Sequence, residues 1–304
     1  MSIVVQGVSK YYGYQKALDQ ISFEVKTGEI VGFIGPNGAG KSTMMKIITG
    51  FIPASSGKVI VNGLAVEADN LEVKKQIGYL PENNPLYPEM YVREYLGFVA
   101  SIYKSAISPK NQTDNIIVLT GLAPEQNKKI GSLSKGYRQR VGLAQALIHN
   151  PAVLILDEAT TGLDPNQIVE IRNLIQEVGK EKTVMLSTHI MQEVEAICDR
   201  VIIIDKGIIV ADEEKSNIYS KLKRPRQVIQ VEFDKEPGDL SLTDIPNVSN
   251  IKKIRKNTWL IEAETDEDLR PSLFNFAVKN NLMVLSMNKL ESNLEEVFRQ
   301  LTKG

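Results

Sequence analysis

The chain has 304 residues, 42 % of them hydrophobic and 24 % charged, with a formal net charge of −1. This is the make-up of an ordinary globular protein long enough for two domains, and the near-neutral balance excludes a general nucleic-acid binder, which carries a basic excess. One cysteine, Cys198, leaves no internal disulfide to form.

No basic segment followed by an apolar one opens the chain, as a secretion signal would require. Ile3-Val4-Val5 and Ile21–Val25 are predicted as half-buried strands, the second by its period-two alternation. After the turn Thr27-Gly28-Glu29, Ile30–Ile34 is a buried strand. It runs into Gly35-Pro36-Asn37-Gly38-Ala39-Gly40-Lys41-Ser42-Thr43, which fits the phosphate-binding pattern G-x-x-x-x-G-K-[ST]. Glycines let backbone N–H groups close around anionic oxygens, because no Cβ intervenes. Lys41 supplies a point charge to the β- and γ-phosphates, and the Ser42 hydroxyl suits Mg²⁺. A helix expected from about Ser42 to Thr49, closed by Gly50, aims its N-terminus at the same phosphates. A ligand-free glycine turn is the bland alternative; the strand before it and the helix after it argue against that.

The stretch from about Asn83 to Ile148 reads as mostly helical, with turns at Pro85, Pro88 and Gly121–Pro124. Ser134 is well placed to cap the helix that continues through Val141, Ala144 and Leu147. His149 sits at the end of that helix, where a favourable dipole contact would explain it. Val153-Leu154-Ile155-Leu156-Asp157-Glu158 is an apolar strand ending in two acids. In a phosphate-loop enzyme the first, Asp157, holds Mg²⁺ through water, and the second, Glu158, is placed to orient and deprotonate the attacking water.

Further strands are expected at Thr183–Ser187 and Val201–Ile204. Strands alternating with helices predict a mainly parallel sheet covered on both faces. The strongest apolar runs fall far short of the roughly 20 residues of a membrane span, so a soluble chain is expected that reaches a membrane only through a partner. Cys198, among helical neighbours, reads as a buried thiol. Ser216–Arg226 reads as a basic linker (Lys221, Lys223, Arg224, Arg226, with Pro225). Beyond it, Ile229, Val231 and Phe233 alternate with polar residues, as do Trp259, Ile261 and Ala263. Leu294, Val297, Phe298 and Leu301 mark an amphipathic helix, giving a small α+β domain.

Phosphate loops serve kinases, GTPases and many ATPases. The octet Leu133-Ser134-Lys135-Gly136-Tyr137-Arg138-Gln139-Arg140, about twenty residues before Asp157 and Glu158, resembles the signature sequence of ABC ATPases, with Lys135 and Tyr137 as variants of its central positions. A kinase or GTPase leaves this octet unexplained. The resemblance extends over about Ile3 to Val210 and implies an ATP hydrolase using ATP and Mg²⁺. By that resemblance Tyr12 matches the aromatic that stacks on adenine. Gly162-Leu163-Asp164-Pro165 matches a loop crossing the dimer interface, and His189 matches the histidine that contacts the γ-phosphate. One position departs from the pattern: the family usually has glutamine where Tyr79-Leu80-Pro81 is followed by Glu82. Glutamate can still ligate Mg²⁺ and serve the reaction, but it adds charge beside Asp157 and Glu158.

The implied architecture is α/β: an ABC-type phosphate-loop ATPase domain over residues 1–218, with a mainly parallel sheet, an N-terminal antiparallel β part and a helical subdomain at about 83–150. A C-terminal α+β accessory domain follows over 219–304. The resemblance also implies two such units packed head to tail, a homodimer or a heterodimer with another ATP-binding subunit. Lys41 and Asp157 of one unit would then face Ser134 and Gly136 of the other across the nucleotide. The segment Asn83–Tyr95 carries exposed-looking aromatics where the family receives a helix from a polytopic membrane subunit; core packing of the helical subdomain explains them equally well. Together with the tail, this resembles exporter-type subunits, and Tyr79–Leu96 resembles the ATP-binding component of a gliding-motility transporter. Such a subunit lies peripherally on the inner face of the cell membrane. The rival is a soluble ABC ATPase that remodels a ribosomal or DNA partner. Those proteins usually carry two units in one chain or a long coiled-coil insertion, and this chain has one unit and no heptads.

Overall fold

The computed structural model describes residues 1–67, 69–103, 106–218, 226–237, 242, 245–265, 267–290 and 294–302. The chain divides into two compact units, Met1–Lys215 and Ser216–Gly304.

The first unit opens with β1 (Ile3–Tyr12), β2 (Gln15–Val25) and β3 (Ile30–Ile34), followed by α1 (Lys41–Ile48). Then come β4 (Ser56–Val61), β5 (Leu64–Ala65), α2 (Leu71–Lys75) and β6 (Ile77–Leu80). Three helices follow, α3 (Val92–Ile102), α4 (Pro109–Leu119) and α5 (Lys135–Leu147), as the sequence led us to expect for this region. The unit closes with β7 (Val153–Asp157), α6 (Pro165–Gly179), β8 (Thr183–Thr188), α7 (Met191–Ile197), β9 (Arg200–Asp205) and β10 (Ile208–Glu214).

Two sheets result. β2-β1-β4-β5 is antiparallel, and the six-stranded sheet runs β10-β9-β3-β8-β7-β6. All pairs in the larger sheet are parallel except β9 with β10. Every residue of β3, β7 and β8 is buried, which is why these strands read as continuous apolar runs rather than alternating ones. One face of the sheet presents Val31, Phe33, Val153, Ile155 and Met185, and these form a single core with Met44, Met45 and Ile48 of α1 and the inner face of the antiparallel sheet. Phe23 and Phe33 meet across the two sheets at 5.7 Å between ring centroids. Each such side chain, fully buried, contributes roughly 1.5–3 kcal/mol.

Register decides where function can sit. Ile34 pairs with Thr188, Asp157 with Ser187, and Leu80 with Leu156. The loops after β3, β6, β7 and β8 therefore leave one edge of the sheet side by side. In an open parallel sheet this carboxyl edge is where ligands bind.

His149 departs from expectation. Its ring stacks on Tyr103 (4.1 Å between centroids, 6° between planes), and Nε2 lies 3.2 Å from the Ile77 carbonyl oxygen. Burial pushes its pKa down to about 4, so the ring is neutral at neutral pH. A dipole contact needs a charge; stacking and a carbonyl hydrogen bond hold this histidine instead. Cys198 follows the last turn of α7 as its C-cap and is buried, with its thiol pKa pushed up by desolvation.

In the second unit, β11 (Arg226–Phe233), β12 (Val248–Arg255), β13 (Thr258–Glu264) and β14 (Val284–Leu290) form an antiparallel sheet in the order β12-β13-β11-β14. Helices α8 (Arg270–Lys279) and α9 (Leu294–Thr302) complete it. Ile229, Val231 and Phe233 bury with Ile261, Ala263 and Leu273, a core separate from that of the first unit. Lys221, Lys223, Arg224 and Pro225 of the expected basic linker lie outside the described residues, and Arg226 begins β11.

Candidate functional site

Gly40 makes the phosphate loop possible. Its φ is 111°, and a Cβ there would stand 2.7 Å from Leu18 Cδ2 and 2.8 Å from the Ala17 carbonyl oxygen. Only glycine takes this backbone without strain, and only glycine fits the gap. It is the N-cap of α1 and has no side chain to satisfy the first turn, so the leading N–H groups of the helix remain available to an anion.

Lys41 is 6 % exposed, and its Nζ donates to the carbonyls of Gly35 (2.8 Å) and Pro36 (3.3 Å). A third N–H remains for a phosphate oxygen. Desolvation lowers the lysine's pKa, and the charges of Glu158, Asp157 and Glu82 oppose that shift. The three acids named from the sequence thus act on one buried cation. Nζ lies 3.9 Å from Glu158 Oε1.

Asp157 ends β7 with its side chain buried. Its Oδ1 accepts from Ser187 Oγ at 2.5 Å and from Ser42 Oγ at 3.2 Å. A carboxylate and a hydroxyl brought together at the foot of a phosphate loop are hard oxygen donors of the kind Mg²⁺ takes. Among the described residues no group of three or more His, Cys, Asp or Glu could hold a metal by itself. Ser42 and Asp157 therefore offer part of a shell that a triphosphate and water would complete, which is how Mg²⁺ is commonly held. Glu82 follows β6 on the same edge and lines the same cleft.

Glu158 has φ 53°, in the left-handed region that a non-glycine residue rarely adopts. Such a conformation costs on the order of 1–3 kcal/mol and persists where its surroundings enforce it. Here the Glu158 N–H donates to the Ser187 carbonyl (3.1 Å), and Thr161 N–H donates to the Glu158 carbonyl (3.2 Å). Its Oε2 accepts from Thr161 Oγ1 at 2.8 Å and lies 2.8 Å from His189 Nδ1. With Glu158 as acceptor, Nδ1 carries the proton and Nε2 is left for another partner. His189 is half-exposed, whereas Glu158 is buried.

Lys41, Ser42, Glu82, Glu158 and His189 line one cleft of about 520 Å³ together with Tyr12 and with Asn37, Gly38, Gly40 and Thr43 of the loop, whereas Asp157 lines an adjoining pocket that shares Ser42 and Glu82 with it. The half-exposed Tyr12 ring, at the end of β1, stands at the rim of the cleft. Of the other residues named from the sequence, Gly35, Pro36 and Ala39 build the loop behind this lining: the first two hold Lys41, and Ala39 N–H donates to the Pro36 carbonyl at 3.1 Å.

Ser134, Gly136 and Asp164 do not line the cleft. Ser134 Oγ caps α5 by accepting from Tyr137 N–H at 3.3 Å, and Asp164 caps α6 by accepting from Gln167 N–H at 2.9 Å. The two helix starts touch: a Cβ on Gly136 would stand 2.5 Å from Gln167 Cδ. Within one chain they form a neighbouring patch rather than a wall of the same cavity.

Ser187, Thr161 and Thr160 were not singled out from the sequence. Ser187 entered there only as the last residue of an expected strand. Hydroxyl residues beside acids are too common for spacing alone to assign them a bond.

Comparison with known proteins gives a consistent picture. The family described as "ABC transporter" matches residues 18–161. The chain is 32 % identical over 303 residues to the linearmycin resistance ATP-binding protein LnrL of Bacillus subtilis (strain 168), covering 98 % of this chain and 97 % of that protein. It is 32 % identical over 308 residues to the bacitracin transport ATP-binding protein BcrA of Bacillus licheniformis, covering 100 % and 99 %. Among solved structures it resembles the dimeric post-hydrolysis state of the ATP-binding cassette MJ0796 bound to ADP and Pi. There the TM-score is 0.64 and the identity 27 %, over 70 % of this chain and 98 % of that one.

Proposed function

The chain belongs to the ABC transporter family as an ATP-binding subunit, and from that premise we propose that it hydrolyses ATP in a head-to-tail dimer to drive an exporter-type membrane partner. The observation that carries this reading is the meeting of Lys41, Ser42, Asp157, Glu158 and His189 at one sheet edge, while Ser134 and Gly136 stand on a separate patch.

In this reading the loop N–H groups and Lys41 bind the β- and γ-phosphates, and Tyr12 stacks on adenine. Ser42 and Asp157, with Glu82 nearby, would hold Mg²⁺, which when bound neutralises phosphate charge. Glu158 takes a proton from water as the water oxygen bonds to the γ-phosphorus. The bond from that phosphorus to the β,γ-bridging oxygen breaks, and ADP leaves with the electron pair. His189, its Nδ1 tied to Glu158, directs Nε2 to the γ-phosphate. A second copy supplies Ser134 and Gly136 at the N-terminus of α5, where a helix dipole favours the γ-phosphate charge that the first copy leaves exposed. Asp164, at the start of α6, stands beside that patch.

No helix among the described residues is long and apolar enough to cross a membrane. Tyr87, Tyr91 and Phe98 are about half exposed, whereas Tyr95 is buried. Tyr87 packs its ring on Tyr95 and Phe98, yet Tyr87, Tyr91 and Phe98 keep about half their surface open, which supports contact of these three with a segment of a polytopic membrane subunit. That subunit would keep the protein on the inner membrane face. The names of the relatives speak of resistance and transport, which favours export over the motility role suggested by Tyr79–Leu96.

Replacing Glu158 with Gln tests the reading. The variant should bind ATP, lose turnover by at least about a hundredfold and accumulate as an ATP-bound dimer in sedimentation with Mg²⁺. Undiminished hydrolysis would remove Glu158 from its role.

A further inference from the structure

Glu193 is 2 % exposed on the first turn of α7, on the buried face that it shares with Met191, Val194 and Ile197. Burying a carboxyl group costs free energy that an apolar side chain of the same size avoids, so its presence needs a reason. Its hydrogen bonds give one. Glu193 Oε1 accepts from the hydroxyl of Thr160, and Oε2 accepts from Thr188 Oγ1 at 2.9 Å. Both threonines are buried, at 4 % and 1 % exposure. Thr160 stands two residues after Glu158, and Thr188 stands immediately before His189. Thr188 Oγ1 is itself fixed by the Ile190 N–H at 3.0 Å.

We propose that Glu193 is a positioning residue for ATP hydrolysis, a two-oxygen strut that ties the loop carrying Glu158 to the loop carrying His189. This deepens the hydrolytic reading above and rests on it. The direct 2.8 Å contact between Glu158 and His189 joins two side chains on loops from different strands. Glu158 also occupies strained backbone that its surroundings must enforce. A strut anchored in buried hydroxyls beneath both loops fixes the spacing from below and leaves the upper side of the pair free for substrate. Packing α7 onto the sheet needs only an apolar side chain. Spanning two threonines needs a group with two acceptor atoms about a carboxylate's width apart.

The test uses the full chain, with Glu193→Met to keep volume without acceptors and Glu193→Gln to keep one acceptor and gain a donor that a threonine hydroxyl can accept. Steady-state ATP hydrolysis, affinity for a nonhydrolysable ATP analogue and the thermal midpoint are measured for each, with Glu158→Gln in parallel. Misplacement of reacting groups by a fraction of an ångström lowers kcat, and the Met variant should lose about tenfold to a hundredfold. Its KM and analogue affinity should stay within about twofold, because ground-state binding is untouched. Its thermal midpoint should not fall, and Glu193→Gln should recover most of the rate. Unchanged kcat in Glu193→Met overturns the proposal. So does loss of kcat, affinity and thermal midpoint together with no recovery in Glu193→Gln, which marks a merely structural residue. If Glu158→Gln still turns over ATP, the hydrolytic reading itself fails; if Glu158→Gln is dead while Glu193→Met runs at the wild-type rate, only the strut fails.

Discussion

A histidine can be kept because it charges or because it does not, and His149 is of the second kind. Its ring is sandwiched against Tyr103 and bonded to the Ile77 carbonyl, and burial holds its pKa near 4 against an ordinary 6.5. The folded protein therefore takes this proton only below about pH 4, whereas the unfolded chain takes it below about 6.5. Stability is fully present above 6.5 and is lost as pH falls toward 4, by an amount on the order of 2 kcal/mol once the ring's partial exposure is allowed for. Urea unfolding at pH 7 and pH 5 should show this drop in the wild type and a clearly smaller one in His149→Phe, which keeps the stacked ring and cannot titrate. Equal drops in both proteins would assign the pH dependence elsewhere. The sequence pointed to the helix end correctly and to the physics wrongly, because Tyr103 lies 46 positions earlier in the chain and nothing local announces a ring contact at that separation.

Helix starts show how much an element can declare in advance. The Ser134 cap of α5 was legible because the cap lies three residues from its donor, and the Tyr137 N–H bond bears it out. The phosphate loop and the strand ending in Asp157 and Glu158 were legible for the same reason: their chemistry is written in consecutive residues. The bonds of Ser187 to Asp157 and of Thr160 to Glu193 were not, since each joins residues at least 30 positions apart that only the folded sheet and its helices bring together. Ser134 also permits an experiment that separates its two roles. Aspartate caps a helix as well as serine does, yet it places a negative charge where a γ-phosphate would dock. Ser134→Asp should keep its thermal midpoint within about 2 °C while losing ATP-driven dimerisation and nearly all hydrolysis. Should the variant hydrolyse ATP normally, the start of α5 has no part in the site.

At the scale of the molecule, the first unit holds every residue of the cleft, and the second builds its own core around Phe233 and Leu273. On the proposed reading the cleft holds the loop and Lys41 for the phosphates but lacks Ser134 and Gly136, which are absent from its lining. A chain acting alone would leave γ-phosphate charge facing water, where solvent screens and reorganises around it and transition-state stabilisation is weak. Two opposed copies would close both sites at once, so catalysis should follow the fraction of chains that are paired. Hydrolysis per subunit is thus expected to rise with protein concentration, steeply where monomer dominates and flat where dimer does. Glu158→Gln mixed into the wild type at constant total concentration provides the internal check, since mixed dimers retain at most one competent site. A rate per subunit independent of dilution, in a sample that sedimentation shows to be monomeric throughout, would mean that one chain completes the site unaided, and the shared pocket would have to be abandoned.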